Sequence, residues 1–151
     1  MDTSGGTTDG SENDMSEYLA TSVIGQVVEA VIGLMNATSP FATVTRGALP
    51  TAAGITCEVG PTIGGEMYFD KNTFVPLDIT INGKHHDMKT LNDTLCAIHS
   101  ALTRRTTYPS TDRWQITDIK NANLPQIIGR ETNNDWLMAS GLTVEFYWKG
   151  D

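Results

Sequence analysis

The chain is poor in the residues that staple small folds or hold ions: it has two cysteines, Cys57 and Cys96, and three histidines in 151 residues. Neither cysteine belongs to a CxxC or Cys-His spacing, so a structural zinc site and a dithiol redox motif are not expected. No uninterrupted apolar run approaches the roughly 18 residues of a membrane-spanning helix. The opening MDTSGGTTDGSENDM lacks both a basic n-region and an apolar h-region, so it is not read as a secretory signal, and an intracellular site of synthesis is the expectation. Bases are scarce as well. Ten Lys and Arg against eighteen Asp and Glu give a formal net charge of −8, which argues against a broad basic face that grips nucleic acid.

Catalytic signatures are missing too. No serine sits in a G-x-S-x-G turn. The stretch Gly60-Pro61-Thr62-Ile63-Gly64-Gly65-Glu66 lacks the Gly-Lys-Ser/Thr ending of a phosphate loop and reads as a hairpin loop. An enzyme is not expected, and no cofactor or metal is assigned.

The length fits one domain. Residues 1–14 hold Asp2, Asp9, Glu12 and Asp14 among Gly, Ser and Thr, with no base and no large apolar group apart from Met1. Such a segment cannot offset its ordering entropy by burial and reads as a disordered acidic arm. The remaining 15–151 form a single domain with fourteen acids against ten bases, a net of only −4.

Along the domain, Leu19, Val23, Val27, Val31 and Leu34 recur at helical spacing, widened by Ile24, Val28, Ile32 and Met35, which predicts a helix from Ser16 to about Met35. Ser16 suits its N-cap, and Gly25 and Gly33 suggest a close-packed neighbouring backbone. Asn36 to Ala53 reads as a surface connection. Ile55, Cys57 and Val59 outline a strand, as do Met67-Tyr68-Phe69 and Thr73 to Ile81, separated by an Asp70-Lys71-Asn72 turn. Asn82-Gly83 is expected to end the latter. Asp87 is the N-cap of a second helix carrying Met88, Leu91, Leu95, Ile98 and Leu102, which Thr106-Thr107-Tyr108-Pro109 stops. Three strands follow, Trp114 to Ile119, Asp135 to Ala139 and Leu142 to Trp148, with a break at Asn123-Leu124-Pro125. Strands with one apolar side and two helices predict an α+β domain: an antiparallel or mixed β-sheet with two α-helices packed on one face.

The histidines offer the one alternative to a structural role, a small-ligand or hydrolase domain using His85, His86 and His99. Adjacent histidines on an extended chain point to opposite sides, and His99 lies more than three turns up the second helix, so a polar turn and a helix-surface histidine are the plainer reading. Cys57 and Cys96 read as buried free thiols. Arg104 and Arg105 suit the negative end of a helix, and Trp114, Trp136 and Trp148 read as core or subunit-interface residues.

Tyr108-Pro109, Trp114-Gln115-Ile116 through Asp118-Ile119, Leu124-Pro125, Ile128-Gly129-Arg130-Glu131, Trp136-Leu137 and the closing Val144-Glu145-Phe146-Tyr147-Trp148-Lys149-Gly150 carry a resemblance. With the Leu77 to Ile81 strand and the Leu91 to Leu102 helix in order before them, they resemble, over about residues 16–150, the small minor capsid or head-tail joining proteins of long-tailed (siphovirus) phages. That family is similar to tail terminators. The resemblance implies an α+β subunit of a hexameric ring that caps the tail tube, stops its polymerisation and joins the head connector, with packaged DNA passing through unbound. It implies a virion location at the head-tail junction and no membrane. A head-completion or tail-tube subunit is the neighbouring alternative, and the acidic arm departs from the pattern. Ring subunits need two different contact surfaces. Thr62, Ile63, Gly64 and Gly65 in one loop, and Leu124, Pro125, Ile127, Ile128 and Arg130 in another, are the candidate subunit or partner contacts.

Overall fold

A computed structural model describes residues 23–50, 52–59, 66–67 and 73–148. The first described helix, α1, spans Val23–Asn36 and buries Val23, Val27, Val28, Val31, Ile32 and Met35. Its valines are poor helix formers, so packing rather than propensity holds it. The helix stops where the Thr38 hydroxyl donates to the Met35 carbonyl (2.7 Å) and Ser39 turns left-handed at φ 58°, just before Pro40. The expected start and cap at Ser16 lie outside the described residues. Gly33 is exposed with nothing near its Cβ position, so the close backbone expected there is not found.

Asn36 then fixes the next element. Its Oδ1 accepts the Val44 N–H at 2.8 Å and its Nδ2 donates to the Val44 carbonyl, in the manner of a strand partner. This clamp seats a three-residue strand, β1 (Val44–Arg46), inside what the sequence presents as a surface connection. β1 runs parallel to β2 (Gly54–Val59). β2 continues the sheet antiparallel to β4 (Thr73–His85), which also pairs with the short β3 (Glu66–Met67). Tyr68, Phe69 and the Asp70-Lys71-Asn72 turn lie outside the described residues.

Helix α2 (Met88–Thr103) is capped as its sequence predicts: an Asp87 carboxylate oxygen accepts the Lys89 N–H, and the other accepts from the Thr90 hydroxyl at 2.7 Å. Those bonds, the Thr90 one foremost, hold the Asp87 carboxyl below its ordinary range. The chain closes with β5 (Trp114–Arg130) and β6 (Trp136–Trp148), giving the order β1-β2-β4-β6-β5. The sheet is mixed, with both helices on one face, as expected of an α+β domain.

The core lies between that face and the helices. Leu77, Ile79 and Ile81 of β4 and Leu142, Val144 and Phe146 of β6 meet Leu91, Leu95, Ile98 and Leu102 of α2 and Val27, Val31 and Met35 of α1. Each such side chain contributes about 1.5–3 kcal/mol by leaving water.

Two punctuation marks in the sequence turn out to sit inside strands. Gly83 does not end β4, which runs on to His85; a Cβ there would lie 2.6 Å from Leu91 Cδ1, so glycine lets α2 approach the sheet. Leu124-Pro125 likewise does not break the chain. β5 sets 17 residues against the 13 of β6, and four register shifts, at Ile116/Asp118, Asn121/Asn123, Asn123/Gln126 and Ile127/Gly129, absorb the excess. Pro125 is tolerated because β5 is an edge strand and the ladder is already interrupted there. The three predicted C-terminal strands are therefore one long hairpin. Its turn is closed by the Glu131 N–H donating to the Asp135 carbonyl (2.8 Å), with Asn134 left-handed at φ 72°.

Candidate functional site

The β5 edge changes character along its length. Trp114, Ile116 and Ile119 point into the core, and the Trp114 indole N–H donates to Gln26 of α1 at 2.9 Å. Beyond Asn121 each one-residue bulge resets which side of the strand faces the helices. Leu124 (64% exposed) and Ile128 (58%) fall within register shifts and have no partner on β6, while Ile127 (49%) pairs with the buried Met138 at the end of the helix-covered face.

The start of α2 ends above the same corner, leaving a groove of about 420 Å³ lined by Met88, Asn92, Pro125, Gln126, Ile127 and Met138. At its rim Lys89 pairs with Asp93 at 2.6 Å, a bond that raises the lysine's pKa. The hairpin tip beside it is anchored twice. The Arg130 guanidinium lies 4.3 Å above the Trp136 ring. The Lys84 ammonium, buried in the sheet, meets the Glu131 carboxylate at 3.0 Å. The exposed apolar side chains thus sit on a braced element.

Leu124, Pro125, Ile127, Ile128 and Arg130 are brought together as the sequence suggested, but on a bulged edge strand instead of a loop. The reason is that β6 offers an unbroken partner through Ser140-Gly141, so β5 stays paired despite its proline. Thr62, Ile63, Gly64 and Gly65 lie outside the described residues. Sequence reasoning missed Met88 and Met138 as groove walls. Met88 begins the helix stripe and reads as core, yet it is exposed because the stripe's first turn overhangs the sheet corner.

A second apolar recess, of about 380 Å³, lies near the other edge of the sheet, where Ile24 and Val28 of α1 face Cys57 and Val59 of β2. Arg46 spans its rim, donating to the Gly25 carbonyl (2.8 Å) and pairing with Glu29 (3.1 Å). Burial pushes the Cys57 thiol up to about 11, so it is a protonated wall group and not a nucleophile.

The histidines do not converge. His85 and His86, expected on opposite sides, instead stack at 4.5 Å because the strand ends at His85, but His99 stays apart from both; Phe41 is edge-on to His85, and His85 Nδ1 accepts the Asp87 N–H at 2.9 Å. His99 is buried, not on the helix surface as expected: the α2 stripe is wide enough to include it, and its Nδ1 meets Asn121 Oδ1 at 2.7 Å. Burial holds its pKa below the ordinary value, opposed by the Asn121 bond. Asn121 aligns through Leu142 with Ile79, six residues from His85 along β4, which puts about 20 Å between the two histidine positions. Cys96 is exposed, so only one of the two thiols is buried as expected. Among the described residues no three His, Cys, Asp or Glu side chains are grouped to hold a metal ion, and no helix is long and apolar enough to cross a membrane.

No protein-family model matches the chain. No curated protein matches it either. Among solved structures it is similar to a chain of the virion of a native gene transfer agent particle, with a TM-score of 0.61 and 12% identity. The match covers 84% of this chain and 98% of that one. At this identity the likeness is one of fold.

Proposed function

We propose that the chain is a structural protein of a phage-like virion, and within that class a tail terminator. The observation that carries the reading is the shared fold: nearly the whole of a virion subunit superposes on this domain. The site geometry supports an assembly role. Among the described residues, four of the five exposed large apolar side chains gather at a bulged edge, and the groove beside them is lined by no carboxylate, histidine or cysteine. A hydrolase built on His85, His86 and His99 would have to bridge about 20 Å.

The proposed mechanism is assembly. Copies joined head to tail close into a ring, six by analogy with the family the sequence resembles, and every copy then presents one rim to the tail tube protein and the other to the head connector. Capping the tube removes the surface to which the next tube subunit would add. DNA passes through the lumen without specific binding, because a domain with a net charge of −4 over residues 15–151 repels phosphate within about 8 Å at physiological salt.

Particles assembled without the chain test this directly. Filled heads and separate tails of uncontrolled length are the expected outcome; tails of normal length joined to heads would refute it. Long open cylinders formed by the purified protein would instead identify a tube subunit. Replacing His85, His86 and His99 by Ala, with His99 handled separately because it is buried, should leave joining by the His85/His86 variant intact.

A further inference from the structure

A ring subunit needs two unlike surfaces, and the described residues hold two unlike apolar ones. Five large apolar side chains are exposed: Met88, Leu124, Ile127 and Ile128 at the β5 corner, and Val59 at the recess between α1 and β2. The strand order separates β5 from β2 by three spacings, about 14 Å. At the corner Leu124 and Ile128 stand out into solvent, and at the other edge Ile24, Val28 and Val59 wall a hollow. Charge differs in the same sense. Exposed Arg130 flanks the first surface, whose Lys89 and Asp93 are already paired, while exposed Glu58 flanks the second, where Glu29 is already paired with Arg46.

The four register shifts and Pro125 spoil β5 as a template for adding another strand, so side chains have to carry any contact made there. We infer that the β5 corner of one copy docks on the α1–β2 recess of a second copy, with Leu124 and Ile128 filling the hollow and Arg130 facing Glu58. This deepens the ring reading proposed above, on which its head-to-tail sense rests. The side chains named on each surface are far fewer than the roughly 20–30 residues a side of a standard stable interface. Closure of the cycle, or a tail tube beneath it, therefore supplies the rest, and free copies associate only when concentrated.

Disulfide trapping tests the contact. In a Cys96→Ser background, Ile128→Cys and Val59→Cys forms are mixed at high concentration and oxidised, and the two changes are also combined in one chain and examined in particles. The mixture should give a crosslinked dimer that neither form gives alone, and the combined chain a ladder ending in a closed multimer. Absence of this crosslink in both settings, or Ile128→Cys joining only to itself, overturns the inference. Arg130→Glu should weaken association about tenfold and Glu58→Arg should restore it in the double variant; no restoration also counts against it. Rings on tails without the crosslink would defeat this contact and spare the terminator reading. A crosslink in a protein that particles do without would do the reverse.

Discussion

The two halves of β5 share a strand, a partner and an edge, yet they sit in different surroundings. From Trp114 to Ile119 the strand alternates with one bulge, at Thr117, and its large apolar side chains reach the core. From Asn121 to Arg130 three more shifts turn comparable residues outward. The difference is one of register and not of composition, because Leu124 and Ile128 fall at the shifts and have no register partner on β6. The first half belongs to the fold. The second is held rigid by the fold, through Arg130 on Trp136 and Glu131 on Lys84, while contributing little to it.

The largest expected contrast lies at the core that the first half covers. Phe146→Ala, behind Ile116, should cost about 3–5 kcal/mol, measured by urea unfolding. Removing the Glu131 charge beside Lys84 by Glu131→Gln should cost less, about 1–3 kcal/mol, because Glu131 is partly solvated. Its loss should also loosen the hairpin tip, read as faster amide exchange in residues 129–137. Gly83→Ala forces Leu91 to move and should cost about 1–3 kcal/mol with little change at the β5 corner.

Acid should act on the joint between the halves. The folded chain holds His99 below its usual 6.5 by burying it, and the unfolded chain protonates first as pH falls. Stability is therefore whole above about 6.5 and declines as pH drops from there toward the depressed folded value. Denaturation midpoints from about pH 8 to about pH 5 should show this slope, and His99→Gln should flatten it. Smallest in stability are Leu124→Asp and Ile128→Asp, within about 0.5 kcal/mol of the parent, since both positions are mostly in water.

The α+β class, the Asp87 cap and the α2 core stripe are readable from spacing alone, because helical and strand periods are local properties. β1 is not: three residues carry no period, and its seat depends on Asn36 reaching back to Val44. Gly83 and Pro125 mislead for one reason. Their turn chemistry is overruled by partners distant in sequence, Ile55 and Met138 for the glycine and the continuous β6 for the proline. The candidate contact residues of β5 stand out in the sequence as an apolar, Gly- and Pro-bearing stretch, but the register shifts at Leu124 and Ile128 are announced by no local pattern. His99 hides similarly, since its burial depends on Asn121 lying across the sheet edge.

The central claim is that the outer half of β5 serves assembly and not folding. It is tested most directly by supplying the Leu124→Asp, Ile128→Asp chain to particles that lack the protein and counting heads with tails. The account predicts a normally folded chain that joins none. Joining at the level of the unaltered chain would contradict it.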